Sequence, residues 1–437
     1  MDFEKLVDWV ATRAKELKVG AFEIGVTQSS GFTVTVRKGL IESLEHHQGQ
    51  RISITIYLKN SFGMATASSF DERALNSLIE KACNIAKFTE EDPYLGLADR
   101  ELLATSYPKL ELDFACPINL EQAVAIARSC EASGLNYSRK IIDSEGATVN
   151  CGSSVVSYAN SNGFLGSIRG TDNYLGCSFI AGEGIEMQRD GYYDFARDYT
   201  DLEDHKEIGL EAARRSAARL GARKITSKKC PVLFSAEIAS SLIGKFVSAV
   251  SGGAQYRKSS FLLDSIWQQV FSKQVLLVEK PFLPKALGSV PYDDEGVRLL
   301  PESVLVKDGV LQRYVLDSYA ARKLKTVTTG NAGGVHNLTL EPNSLGLDHL
   351  IKEMDTGLLV SELMGGNTNP ITGDYSCGVF GFWVENGEIK YPVTGVTVAA
   401  NLKDLFLGIT LIGNDVDRRN NILTGSILVD EMTIAGC

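Results

Sequence analysis

Residues 147–182 read "ATVNCGSSVVSYANSNGFLGSIRGTDNYLGCSFIAG", and the fold class turns on them. On either side of Asn160-Ser161-Asn162-Gly163 the chain alternates with a period of two, the signature of a strand with two unlike faces. An Asn-Gly pair supplies the left-handed conformations of a tight antiparallel turn, so the stretch reads as a hairpin. A third period-two run occupies 185–199. Helical spacing brackets the block, with "NLEQAVAIARSCEAS" (119–133) before it and "DLEDHKEIGLEAARRSAARLG" (201–221) after it. Thr200, with Glu203 three residues on, is the expected cap of the second helix, and Gly221 its stop. Helices and antiparallel strands in separate blocks argue α+β.

The pattern recurs toward the N-terminus. A helix is expected over 2–18, capped by Asp2, with Phe3, Leu6, Val7, Val10, Ala14 and Leu17 on one face. Three short strands follow, "FEIGVTQ" (22–28), "FTVTVRKG" (32–39) and "RISITIYLK" (51–59), then a helix over 69–88. Periodicity fades and prolines appear between 89 and 117, which places a domain boundary there. Residues 1–100 and 112–222 are thus expected as two domains of helix-flanked antiparallel sheet. From 225 to 437 the chain reads as a β-rich domain. Its hairpins turn at Asp308-Gly309 and Asn386-Gly387, and its glycine-rich loops are "TTGNAGGVH" (328–336) and "MGGNTNPITGDYSCG" (364–378).

Bulk properties exclude several function classes. The 437 residues carry 44 Lys and Arg against 54 Asp and Glu, a formal charge of -10. Such a surface repels phosphate backbones, so nucleic-acid binding is disfavoured. The densest basic stretch, "ARRSAARLGARKITSKK" (213–229), reads as a solvated helix end. No apolar run reaches the roughly 18 residues that span a bilayer, and the first residues lack a signal core. The 8 cysteines form no C-x-x-C pair, which suits free thiols in a reducing cytoplasm.

Chemistry is harder to find. The 5 histidines, His46, His47, His205, His336 and His349, include no pair at helical ligand spacing. Cys377, beside a glycine at a strand start, could form a nucleophilic dyad only by meeting His336 in space. Asp293, Asp294 and Glu295 fit two readings, an Asp-rich turn closed by Gly296 or a site for a cation or amino terminus. Residues 232–246, "VLFSAEIASSLIGKF", read as a strand entering an amphipathic helix with Ser235 at its N-cap.

Four segments together resemble the TldD/PmbA family, and the PmbA (TldE) branch in particular. They are "SYANSNGF" (157–164), "DDEGVRLLPESVLVKDGVLQRYVLDSYAARKL" (293–324), "TGNAGG" (329–334) and "GNDVDRRNNILTGSILVDEMTIAG" (413–436). The resemblance implies a subunit of a two-chain cytoplasmic metallopeptidase that trims or degrades unstructured peptides, of bacteriocin-leader or antitoxin type. In the TldD-type subunit, H-E-x-x-x-H on the helix after a buried strand, with a later cysteine, holds the zinc. Laid over this chain, those positions fall on Ser235, Ala236 and Ser240, with Glu237 one place late. The motif "DVDRRNNIL" (415–423) lacks the cysteine and carries Arg418 and Arg419, which would repel a cation. The implication is a non-catalytic partner without a cofactor of its own, the zinc residing on a TldD-type subunit, with a homodimer as another possible assembly. Asp293, Asp294, Glu295, Gly365, Gly366, Asn367 and Cys377 are the candidate peptide-binding residues, the glycines because bare backbone lets an extended peptide approach. The rival readings are a regulatory binding protein of the DNA gyrase modulator type and a stand-alone cysteine-dependent enzyme.

Overall fold

The computed structural model describes residues 3–436. Its first half is built from α1 (Phe3–Glu16), β1 (Ala21–Arg37), β2 (Leu40–Leu58), β3 (Ser61–Ala67), α2 (Glu72–Phe88), α3 (Leu120–Leu135), β4 (Ile141–Asn160), β5 (Leu165–Ala181), β6 (Gln188–Ala196) and α4 (His205–Ala218). The strands form one antiparallel sheet in the order β3-β2-β1-β4-β5-β6. Asn160 to Gly163 make the β4–β5 turn, with Gly163 at a φ of +97°.

The two expected strands 22–28 and 32–39 are one strand of 17 residues, β1. The polar interruption Ser29-Ser30-Gly31 hides this in the sequence. In the fold β2 and β4 flank it with continuous ladders, Ser29 opposite Gly49 on one side and Ser154 on the other. β1 serves two cores. Phe22, Ile24 and Val26 pack under α1 and α2, and Val34 and Val36 pack under α3. All four helices therefore cover one face. The opposite face carries Glu23, Gly25, Thr27, Arg51 and Ser53.

One expected cap falls outside the described residues and one differs. Asp2 lies outside the described residues. Thr200 does not cap α4; it belongs to a 3-10 turn, Tyr199–Asp201, capped by Asp198. The cap of α4 is Asp204, whose carboxylate accepts from the Lys206 N–H at 2.8 Å. An acid one residue before the helix reaches its free N–H groups where the more distant threonine cannot.

The second half comprises β7 (Lys228–Phe234), α5 (Ala236–Ala249), α6 (Gly252–Tyr256), β8 (Leu277–Glu279), β9 (Ser303–Lys307), β10 (Val310–Leu311), α7 (Ser318–Lys323), β11 (Leu338–Leu340), α8 (Leu347–Met354), β12 (Gly357–Thr368), β13 (Asp374–Glu385), β14 (Glu388–Asn401), α9 (Leu402–Leu407), β15 (Ile409–Ile412), β16 (Ile422–Leu423) and β17 (Ile427–Ala435). A small sheet runs β10-β9-β8-β11-β16. The larger one runs β14-β13-β12-β7-β17-β15, and a further β14–β17 pairing closes it into a small barrel. Both expected hairpin turns are present, with positive φ at Asp308, Gly309, Asn386 and Gly387. α5 packs into the main core through Phe246, whose ring meets Phe271 at 4.7 Å and Phe406 at 5.9 Å. Burying a phenyl ring of this kind contributes roughly 2–3 kcal/mol.

Candidate functional site

β7 is the central strand of the barrel sheet, parallel to β12 and antiparallel to β17, so its apolar Val232, Leu233 and Phe234 are wholly buried. It delivers the chain to the first turn of α5, where the resemblance places metal ligands. Ser235 holds the N-cap position but its side chain makes no capping bond. The Ala236 N–H instead donates to the hydroxyl of Ser426, at 3.1 Å. Ser426 in turn donates to Asp415 at 2.6 Å. The cap expected from Ser235 is thus supplied from 190 residues away in sequence, because Ser426 precedes β17 beside the end of β7.

Glu237, the one acid of this turn, is held by two arginines. Arg215 from α4 reaches it with both terminal nitrogens, one at 2.8 Å, and Arg419 reaches it at 3.0 Å. Arg419 also forks onto both oxygens of Asp417, at 2.9 and 3.0 Å, and donates to the Tyr193 carbonyl. Burial works to raise the Glu237 carboxyl, but the two guanidinium groups outweigh it and hold it below its ordinary value. The donors here do not fit zinc. Ser235 and Ser240 present hydroxyls, Ala236 a methyl, and the Glu237 carboxylate is already neutralised by cations. Among the described residues, no three His, Cys, Asp or Glu side chains are grouped to hold a metal.

The second candidate is the turn after residue 290. Asp293 is 1% exposed, and its carboxylate accepts from the N–H groups of Glu295, Val297 and Ala332 at 3.0, 2.8 and 3.2 Å. Gly296, at a φ of +76°, closes the turn by donating to the Asp293 carbonyl. The turn reading therefore describes Asp293. Burial, aided by the neighbouring Glu295, pushes its carboxyl up to about 7 against those donors. Glu295 accepts from the Ser318 N–H at 3.1 Å and from its hydroxyl, and burial raises it too. Asp294 accepts no hydrogen bond from a described residue, and with Asp293 it lines a cavity of about 320 Å³ between this turn and the first sheet.

The remaining candidates are dispersed. Gly365, Gly366 and Asn367 were expected in a loop but lie in β12 of an exposed hairpin, Gly366 opposite Cys377 and Asn367 opposite Ser376 of β13, with Gly365 in a bulge. The tip joins Thr368 to Asp374, and the ladder shifts register between Val360 and Glu362 and between Leu363 and Gly366. Glycine there serves close packing as well as exposure, since a Cβ on Gly366 would sit 2.9 Å from the Cys377 sulfur. Cys377 is buried, and its thiol donates to the Gly365 carbonyl at 3.2 Å. His336 is engaged elsewhere, its Nδ1 lying 3.2 Å from Glu279, which also receives the His336 N–H. No hydrogen bond joins Cys377 to His336 among the described residues.

Comparison with known proteins gives the family. Residues 227–436 match the PmbA/TldA metallopeptidase C-terminal domain, 116–220 the central domain and 22–86 domain 1. "Metalloprotease PmbA" of Escherichia coli is 40% identical over 435 residues, covering 99% of this chain and 96% of its own. The chain belongs to the PmbA/TldD metallopeptidase family. A PmbA homologue of Haemophilus influenzae is likewise 40% identical, covering 96% of this chain and 93% of its own. A crystal structure from Bacteroides thetaiotaomicron, named for modulation of DNA gyrase, superposes with a TM-score of 0.94 at 27% identity, covering 99% of both chains. TldE from Thermococcus kodakarensis shares the fold, with a TM-score of 0.84 at 22% identity over 97% of this chain and 98% of its own.

Against this PmbA/TldD frame, the residues that the sequence could not assign are Arg215 and Ser426. Arg419 was legible as a cation-repelling residue. That it would neutralise Glu237 was not, because 182 residues separate the two positions (419 minus 237).

Proposed function

We propose that this chain is the non-catalytic subunit of a two-chain cytoplasmic metallopeptidase, joined to a TldD-type partner that carries the zinc and acting on unstructured peptides. The observation that carries the reading is the state of Glu237. A metallopeptidase base must take a proton from a metal-bound water. A carboxylate clamped by Arg215 and Arg419, with hydroxyls in place of imidazoles, has neither the metal nor the basicity to do so. Family membership supports the peptidase context, and the absence of any helix long and apolar enough to cross a membrane among the described residues suits a cytoplasmic setting.

The test is purification of the chain alone and with a co-expressed TldD-type subunit, followed by zinc analysis and an assay on an unstructured peptide. The expected result is cleavage by the pair and none by the isolated chain, with the zinc on the partner. Cleavage by the isolated chain would overturn the reading. A stable complex with gyrase, and none with a TldD-type subunit, would favour the regulatory alternative.

A further inference from the structure

We propose that Cys116 and Cys151 form an oxidisable dithiol, which a hydroperoxide converts to a disulfide pinning the strap before α3 to the first sheet. The proposal goes beyond the peptidase reading and does not rest on it.

The strap, residues 104–118, leads into α3 without a helix or strand of its own. It is held to the sheet at two places. The Leu112 carbonyl accepts from the Thr171 N–H at 2.8 Å, and the Phe114 N–H donates to the Thr171 hydroxyl at 3.1 Å. Thr171 of β5 stands opposite Ser153 of β4. Farther along, Ile118 packs against the core that contains Val149 of β4. The strap thus passes from the level of Ser153 at Phe114 to the level of Val149 at Ile118. Cys116 is midway between the two anchors, and Cys151 is midway between Ser153 and Val149. The two cysteines are brought level by hydrogen bonds and packing on either side of them.

Side-chain direction agrees. Cys151, Val149 and Ala147 alternate along β4 and share the face that α3 covers. Cys116 is exposed, and its thiol folds back to donate to the Ile118 carbonyl at 3.4 Å. It lies within hydrogen-bond reach of the Cys151 thiol, which is 3% exposed beneath it. Tyr199, packed on the same core, is close enough to both sulfurs to feel their charge.

The two cysteines have unlike roles. An oxidant reaches Cys116 from solvent, whereas burial pushes the Cys151 thiol up and keeps it protonated. The Cys116 thiolate attacks the hydroperoxide, its O–O bond breaks, and the alcohol leaves, so that the sulfur becomes a sulfenic acid and the peroxide is reduced by two electrons. The Cys151 sulfur then attacks the Cys116 sulfur. The S–S bond forms, the S–O bond breaks, and the Cys151 proton leaves with the hydroxyl as water. The sum is two thiols and one hydroperoxide giving one disulfide, one alcohol and one water. Cys130 of α3 and Cys177 of β5 are also in contact, but at 0% and 4% exposure neither meets an oxidant. The bridge would fix the strap at a third place, next to Thr171 and to the Lys285 N–H that donates to the Leu110 carbonyl at 3.1 Å.

The test treats the dilute full chain with hydrogen peroxide and maps its cysteines by mass spectrometry without reductant. The expected result is the loss of two of the 8 thiols, a linked pair of peptides holding Cys116 and Cys151, and full reversal by dithiothreitol. Cys116→Ser is expected to abolish the link. Cys151→Ala is expected to leave Cys116 as a sulfenic acid, captured severalfold more by the diketone dimedone than in the wild-type chain, with melting curves confirming that both variants fold. Oxidation of Cys116 in the wild-type chain while Cys151 stays a thiol would overturn the proposal. So would a link from Cys116 to a second chain, or a Cys130–Cys177 bridge formed in preference.

Discussion

Glu237 and Asp293 are both acids in the second half of the chain, and the protein treats them in opposite ways. Glu237 is a third exposed at its side chain and faces two arginines, so its carboxyl stays ionised below the ordinary range. Asp293 is nearly inaccessible, so burial, aided by the neighbouring Glu295 and opposed by three backbone N–H donors, pushes its carboxyl up to about 7. The lesson is that burial alone does not set the fate of a carboxylate; the sign of its neighbours does. At α5 two arginines hold the carboxylate. At the Val290–Glu295 turn, negative charge has been gathered and one carboxylate left free.

The largest test of this contrast is Arg419→Ala. It would strand Asp417, 7% exposed at its side chain, and remove half of the Glu237 clamp. Breaking a largely buried ion pair from one side costs about 3–5 kcal/mol, and partial exposure of Glu237 places this variant near the lower figure. Urea unfolding at neutral pH measures it. A change under about 1 kcal/mol would mean the network is not held as a unit.

The pH dependence separates the two acids next. Asp293 has a folded-state value raised above 3.8, so its contribution is fully present below that value and is lost as pH rises toward about 7. Glu237 is lowered below 4.5, so its contribution is present above 4.5 and is lost as pH falls through the lower, folded-state value. Relative to wild type, Asp293→Asn should therefore flatten a decline on the order of 1–3 kcal/mol between pH 4 and 7. Glu237→Gln should instead flatten the loss at acid pH. Stability curves with the two slopes exchanged would show that the neighbours have been misjudged.

A smaller effect concerns the helix that carries Glu237. Ser426→Ala removes the donor–acceptor bridge from Asp415 to the Ala236 N–H and should cost about 1 kcal/mol or slightly more. Ser235→Ala should cost only a few tenths, because its side chain makes no capping bond. Thermal melts of the two variants rank them, and the reverse ranking would return the cap to Ser235.

The smallest expected change is in metal content. Ser235→His, Ala236→Glu and Ser240→His together supply two imidazoles and a base, but a catalytic zinc takes three protein ligands. Arg419 stands beside Glu237, in the same turn of α5. The triple variant should hold far less than one zinc per chain by elemental analysis and cleave no peptide alone. Stoichiometric zinc with cleavage would mean that the arginines can be displaced.

What the sequence determined by itself was local. The hairpin at Asn160–Gly163, the type I′ candidates at Asp308-Gly309 and Asn386-Gly387, the amphipathic helices and the α+β class all follow from periodicity and from turn residues a few positions apart. The expectation that Ser235, Ala236 and Ser240 stand where the resemblance places zinc ligands is also local, once the family motif is laid over them. Tertiary structure decided the rest, because it depends on partners far away in the chain. β1 runs through Ser29-Ser30-Gly31 only because β2 and β4 hold it on both sides. Gly366 and Asn367 became strand because β13 offered a ladder. Ser426 caps α5, and Arg215 and Arg419 neutralise Glu237, across gaps that no period or spacing rule can bridge. Charge and hydrogen-bond partners act over a few ångströms of space whatever the distance in sequence, so only the folded chain reveals which acid is silenced and which is left free.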